Sequence, residues 1–178
     1  MILFLGLAGS GKSTQGHLLA AHLGCPWVST GHLLREKADT ATQARMLKGE
    51  IISDDETLAV LDQEFQRIGA GQTQFVLDGS PRTMRQAKWL VQKVQNGELK
   101  LTAAVHLKVP QESARGRLLS RQRPDDHEEA IKERFREYDN NIKPIIKYLK
   151  DEGFEVYDVD GSEAVEQVAQ DIRKAIGI

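Results

Sequence analysis

The stretch "FLGLAGSGKST", residues 4–14, decides how the rest of the chain is read. Gly6, Gly11, Lys12 and Ser13 satisfy the pattern G-x-x-x-x-G-K-[ST], directly after the apolar run "MILFL" (1–5). Glycine lets the backbone turn tightly enough for several N–H groups to converge on one anion. A helix beginning near Lys12 adds the partial positive charge of its amino terminus at the same point. The segment is therefore expected to hold a nucleoside triphosphate. Gly9, Ser10 and Gly11 supply the main-chain wall, Lys12 the charge on the outer phosphates, and the hydroxyl of Ser13 or Thr14 a partner for Mg²⁺. A plain glycine turn needs neither the preceding strand nor the lysine.

Short apolar or β-branched runs alternate with longer helical patterns over the whole chain. Strands are predicted at "ILFLG" (2–6), around Trp27 and Val28, at "FVLDG" (75–79), "AAVHLKV" (103–109) and "FEVYDV" (154–159). Helices are predicted near 12–23, 30–48, 54–69, 83–95, 111–121, 126–151 and 162–176, with Pro144 kinking or dividing the sixth. Runs such as "ILFL" and "AAVHLKV" are apolar on both faces, as strands covered on both sides should be. The expected fold is α/β, a three-layer α/β/α sandwich around a five-stranded parallel sheet with right-handed crossovers. Ligands in such sheets bind beyond the carboxyl ends of the strands, where the glycine-rich loop lies.

The chain has 178 residues, enough for one domain with a full core. Its 24 Lys and Arg nearly balance 26 Asp and Glu, so the net charge points to no nucleic acid and no anionic membrane. Cys25 is the lone cysteine and cannot form an internal disulfide, which fits a reducing compartment. "MILFL" is too short for a signal peptide, and no apolar stretch reaches the length of a membrane span. A cytoplasmic location is the expectation.

Five further segments occur in one order: "VSTGHLLRE" (28–36), "GEIISDDE" (49–56), "LDGSPRTMRQA" (77–87), "RLLSRQRPDD" (117–126) and "EEAIKERFREY" (128–138). With the glycine-rich loop, this ordered set resembles the adenylate kinase family over almost the whole chain. The resemblance implies a P-loop fold in one nucleoside monophosphate kinase domain, 1–178. Its core would be 1–28, 70–120 and 126–178, with a small helical insertion for the monophosphate at 29–69 and a very short lid at 121–125. It implies reversible phosphoryl transfer from ATP to AMP, giving two ADP, with Mg²⁺ as cofactor and the chain acting as a monomer.

The residue roles follow the same resemblance. Thr30 and Gly31 lie beside the AMP adenine, and Arg35 and Arg82 resemble the arginines that grip the AMP phosphate. Ile51 and Ile52 resemble the apolar wall around the base, Gly79 allows close approach, and Gln86 resembles the side chain that reads the adenine edge with a donor and an acceptor. Asp78 resembles the acid that orients Mg²⁺ through water, beside Ser13. Arg117 and Arg121 match arginines over the ATP phosphates; Arg123 and Arg134 match those over the transferred group and AMP. Planar guanidiniums suit the charge spread over a loose phosphoryl transition state. Lys12, Arg82, Arg121, Arg123 and Arg134 form the expected catalytic set, with Asp125 and Asp126 orienting some of the arginines. Backbone near Gly161 resembles the loop along the ATP adenine. Read alone, several of these segments are ordinary: Ser29 and Thr30 are good helix caps, and "RLLSRQRPDDHEE" resembles a solvated helix end.

Several positions depart from the family pattern. His32 stands where an acid is usual, Ser80 where a phenylalanine is usual, and Ser13 where glycine is usual. Only Gln122 separates Arg121 from Arg123, which shortens the lid and threatens a hydrolytic leak. The lid region has no cysteine or histidine quartet for zinc. A kinase with UMP or CMP as acceptor, and an adenine-nucleotide-binding or sensing module with weak catalysis, are the alternatives.

Overall fold

β1 (Ile2–Gly6) is buried at all five positions, and its side chains alternate between two separate cores. Leu3 and Leu5 face one core, Ile2 and Phe4 the other. That alternation is the pleat of a strand covered on both faces, and it makes the molecule three-layered. The computed structural model describes residues 1–37, 42, 44, 45, 52–121, 123, 124 and 126–178.

The remaining elements are α1 (Lys12–Leu23), β2 (Trp27–Ser29), α2 (Thr30–Lys37), α3 (Asp54–Ile68), β3 (Val76–Asp78), α4 (Met84–Gln95), β4 (Ala103–Lys108), α5 (Gln111–Arg121), α6 (Glu128–Glu137), α7 (Lys143–Asp151), β5 (Val156–Asp160) and α8 (Val165–Ala175). The five strands form one parallel sheet in the order β2-β3-β1-β4-β5. The chain runs from β1 out to β2, returns through β3, and then crosses to β4 on the other side of β1. This reversal opens a crevice at the carboxyl end of β1, where the glycine-rich loop leaves the sheet.

One core joins the sheet to α3, α4 and α7 through Leu61, Phe65, Leu90, Ile145 and Leu149; the other joins it to α1 and α8 through Leu19, Val168 and Ile172. Burial of each such side chain contributes about 1.5–3 kcal/mol before entropy is charged against it. The ring of Phe65 packs 5.2 Å from Phe75 and 5.9 Å from Trp89. α3, from the segment expected as an insertion, packs Leu61 and Phe65 into this core.

All five predicted strands and the helices at 12–23, 54–69, 83–95 and 111–121 occur within a residue or two of expectation. The last helix begins at Val165 rather than near 162, because the turn after β5 is held by the Ser162 N–H donating to Asp160. Of the predicted helix 30–48, α2 and the helical residues Thr42, Ala44 and Arg45 are described. The predicted helix 126–151 is divided: a π-helical turn, Tyr138–Ile142, separates α6 from α7, and Pro144 sits in the first turn of α7. The backbone stays helical through Ile142 and Lys143, so the missing N–H of Pro144 falls where the π-helical turn meets α7, and the helix is divided there as expected. The Tyr138 hydroxyl donates to His106 Nε2 at 2.8 Å, and His106 Nδ1 donates to Asp158 at 2.8 Å. This chain, buried at His106 and open to solvent at Asp158, runs from β5 through β4 and anchors the wider turn. Burial outweighs Asp158 and holds the His106 pKa below its ordinary value, which fits a neutral ring with that tautomer.

Candidate active site

The glycine-rich loop is held too tightly for side chains. A Cβ on Gly9, whose φ is +81°, would stand 2.5 Å from the Ala114 carbonyl oxygen. A Cβ on Gly6, whose φ is +144°, would stand 2.6 Å from that of Leu107. Both contacts are shorter than any real Cβ tolerates, so the loop can take this path only with glycine. Gly11, in the left-handed region, precedes α1 and turns the first amides of that helix toward the crevice.

Lys12 Nζ donates to the carbonyls of Gly6 (2.9 Å) and Leu7 (2.8 Å), folding back over its own loop. Burial lowers its pKa to about 8; Asp78 opposes the shift, and Arg82, Arg121 and Arg134 add to it. Three arginines close enough to depress a lysine mark a place that attracts an anion.

These groups line one cleft of about 380 Å³ at the crevice. It brings together Gly9, Gly11, Lys12, Ser13, Thr14, Thr30, Gly31, Arg35, Ile52, Asp78, Gly79, Arg82, Gln86, Arg117, Arg121, Arg123 and Arg134. Of the described residues that line it, seven are Lys or Arg and two, Asp78 and Glu137, are carboxylates, so the cleft selects strongly for anions. Ser10 and Gly161 instead line a smaller adjoining cavity of about 180 Å³, which shares Gly11, Thr14 and Arg117 with the cleft. Of the expected site residues, Ile51 lies outside the described residues, as do Gln122 and Asp125 of the expected lid.

The arginines are oriented by the protein. Asp126, whose side chain is fully buried, takes a two-pronged bond from Arg121 (2.7 Å to each oxygen) and a third from Arg134 (3.1 Å). Burial alone would raise the Asp126 pKa, but these partners hold it below the ordinary carboxylate value. Arg117 reaches from α5 to the carbonyls of Gly161 (2.8 Å) and Ser162 (3.3 Å), joining cleft to side cavity. Arg82 Nε donates to the Gly79 carbonyl at 3.1 Å.

Ser13 Oγ donates to Asp78 Oδ2 at 2.6 Å, at the end of β3. A hydroxyl and a carboxylate beside a phosphate cradle are hard oxygen donors of the number Mg²⁺ takes from protein when phosphates and water complete its shell. Among the described residues no cluster of three or more His, Cys, Asp or Glu offers a full protein cage. The residues present fit a metal brought in with a nucleotide.

Two expectations change in the structure. Thr30 opens α2 directly after β2, yet its buried hydroxyl has no hydrogen-bond partner, so it faces the cleft uncommitted instead of capping the helix. Gln86 is committed: Oε1 accepts from the Arg82 N–H at 2.8 Å, and Nε2 donates to Asp54 at 2.9 Å. The cap of α4 is Thr83, whose hydroxyl accepts from the Gln86 N–H at 3.2 Å. Sequence reading did not find Thr57, Glu137 and Tyr138, which also line the cleft. Glu137 follows Arg134 by three residues on α6, a spacing that could have pointed to it. Burial raises its pKa, while Arg82 and Arg134 oppose that shift.

Among the described residues no helix is long and apolar enough to cross a membrane. The family model described as "Adenylate kinase" matches residues 4–154. The chain is 35% identical to Adenylate kinase 1 of Synechocystis over 98% of this chain and 96% of that protein. It is 30% identical to Adenylate kinase of Archaeoglobus fulgidus over 96% of this chain and 95% of the relative. It is 33% identical to Adenylate kinase of Mycolicibacterium vanbaalenii over 99% of this chain and 98% of the relative. A cationic cleft at the switch point, a phosphate loop and a match over nearly the full length agree: this chain belongs to the adenylate kinase family.

Proposed function

We propose that the chain catalyses ATP + AMP ⇌ 2 ADP, with the phosphate loop holding ATP and the opposite wall of the cleft holding AMP. The observation that carries this reading is the meeting of Lys12 with Arg82, Arg123 and Arg134 in one cavity. A protein that only binds ATP has no use for so many cations in one cavity. The AMP phosphate oxygen attacks the γ-phosphorus in line, and the bond from that phosphorus to the β,γ-bridging oxygen breaks. Charge accumulates on the equatorial oxygens and on the departing bridge.

The family resemblance supports a division of labour among these residues. Main-chain amides of Gly9 to Thr14 and Lys12 hold the β- and γ-phosphates. Arg35 and Arg82 fix the AMP phosphate; Arg123 and Arg134 neutralise the transferred group; Arg117 and Arg121 cover the ATP phosphates. Thr30, Gly31, Ile52, Gly79 and Gln86 form the acceptor base pocket, and the Gly161 loop with the side cavity takes the donor base. Ser13, and Asp78 through water, would hold Mg²⁺, which supplies charge neutralisation on the phosphate oxygens. Alignment of two anions that repel in water is the main contribution of such a site. We further propose residues 29–69 as the acceptor-binding segment, 121–125 as a short lid, and a monomer in the cytoplasm.

Turnover with ATP against AMP, CMP, UMP and GMP, with a control lacking acceptor, tests the reading. AMP is expected to be the preferred acceptor, and equal rates with and without any acceptor would refute it. Within this scheme Arg82→Ala raises the KM for AMP by about tenfold or more while the KM for ATP moves little. A parallel rise in both would place Arg82 outside the acceptor pocket.

Lys12 offers a second test. With a free-state pKa of about 8, it is half protonated at pH 8. A triphosphate restores full protonation, so binding of a non-hydrolysable ATP analogue at pH 8 takes up about half a proton. Binding enthalpies in two buffers of different ionisation heat measure this. Uptake should vanish at pH 6.5 and in Lys12→Met; uptake that persists in the variant assigns the proton elsewhere.

A further inference from the structure

Asp54, at the start of α3, makes contacts that no step above requires. Its Oδ1 accepts from the Thr83 hydroxyl at 2.7 Å and from Gln86 Nε2 at 2.9 Å. On the other side, Gln86 Oε1 accepts from the Arg82 N–H at 2.8 Å and, more weakly, from Ser80 Oγ at 3.4 Å. Gln86 is 2% exposed, so its carboxamide has no solvent to turn into. A carboxylate can only accept and a backbone amide can only donate. The two partners therefore fix which end of the amide is nitrogen and which is oxygen. Both lone pairs of Oε1 are engaged, and a single N–H of Nε2 is left for a ligand.

We infer that Asp54 is a positioning residue that orients the Gln86 carboxamide as a lone hydrogen-bond donor, and thereby selects an acceptor purine whose N1 carries no hydrogen. Adenine presents an unprotonated N1 to that N–H. A 6-oxopurine such as IMP or GMP presents N1–H, which sets donor against donor and leaves both buried and unpaired. The same bond ties the first turn of α3 to α4, so that Thr83 and Gln86 read the position of the acceptor segment. This inference rests on the acceptor-site reading above and deepens it.

The test compares Asp54→Ala with Asp54→Asn, measuring kcat and KM for AMP and IMP and the KM for ATP. Asparagine keeps an acceptor oxygen where Oδ1 lies and removes the charge; alanine removes both. In the alanine variant the KM for AMP is expected to rise about fivefold to tenfold, and the ratio of kcat/KM for AMP over IMP to fall by a similar factor. The KM for ATP should stay near the wild-type value. The asparagine variant should stay within about twofold of wild type on all three measures, and Asp55→Asn, one residue along the same helix turn, controls for loss of charge there. Equal loss in the alanine and asparagine variants would mean that charge at the helix start, not amide orientation, matters, and would overturn the inference. So would an unchanged AMP-to-IMP ratio in the alanine variant.

A double variant keeps the test alive if the alanine chain does not fold. Asp54→Asn with Gln86→Glu rebuilds the contact with reversed polarity. The new carboxylate at position 86 accepts from the carboxamide introduced at position 54 and from the Arg82 N–H, and turns an acceptor toward the base. IMP should then gain on AMP by about tenfold relative to wild type; an unchanged ratio overturns the inference. Wild-type enzyme that turns over AMP and IMP equally would bring down the acceptor-site reading itself, which separates that failure from this one.

Discussion

Lys12→Ala lowers kcat by at least about a thousandfold and leaves the fold intact. The two halves of this expectation have different origins. Catalytically, Lys12 is the only lysine among the described residues lining the cleft, and under the proposed reading it stands beside the β,γ-bridge where charge grows. Removal leaves the amides of the loop but no mobile full charge to follow the phosphoryl group. Structurally, the free protein holds Lys12 against its own carbonyls at a cost, because its pKa is lowered to about 8. The folded state therefore binds its proton less tightly than the unfolded chain does. From this residue alone, stability of the free protein rises between pH 8 and 10.5, and protonation opposes folding below that window. The alanine variant loses this slope. It also leaves the Gly6 and Leu7 carbonyls to water, so the net change in stability at pH 7 is expected within about 1 kcal/mol. Thermal melts at pH 7 and 10 and a coupled ADP assay check both halves. Turnover within tenfold of wild type would show that the loop does not hold the reacting phosphate.

Much of this was legible in the chain because it depends on local pattern. β1 reads as a doubly covered strand since four apolar residues leave no polar face, and the loop after it needs glycine for reasons of backbone path. The arginines were singled out through the family resemblance. What escaped depends on contacts far apart in sequence. Nothing in "REYDNNIKPII" marks a π-helical turn; the turn is anchored when Tyr138 reaches His106, 32 residues away, across the end of β4. Asp54 lay inside a segment read for its isoleucines, and its partner Gln86 is 32 residues on. The spent acceptor of Gln86 follows from the backbone path at Arg82, which no residue pattern reveals. Thr30 shows the converse: a residue type favoured at helix caps stands at a helix start, yet its hydroxyl is left for the cleft.

Asp126→Ala is expected to lower kcat about a hundredfold without its carboxylate touching either nucleotide. Asp126 clasps Arg121 through both oxygens and Arg134 through one, joining the end of α5 to α6. Both guanidiniums are thereby pointed before any nucleotide arrives, which removes the entropy of ordering them from the reaction step. Without the carboxylate, two cations that share a cleft with Lys12 and Arg82 repel and spread apart. Loss of orientation acts on the transition state more than on ground-state binding, so kcat should fall further than KM rises. Stability should also fall, by about 2 kcal/mol; the value is below that for a fully buried pair because Arg121 remains a third exposed. The pH dependence has a definite sign. The folded-state pKa of Asp126 lies below its ordinary 3.8, so its contribution is complete above that pH and is lost as the pH falls through the lower value. The deficit of the alanine variant should be constant from neutral pH down to about 4 and shrink below it. Asp126→Asn, which keeps one acceptor oxygen, should fall between the two in both rate and stability. If the alanine variant retains kcat within twofold, the arginines find their positions from the phosphates alone, and the carboxylate serves only to link two helices.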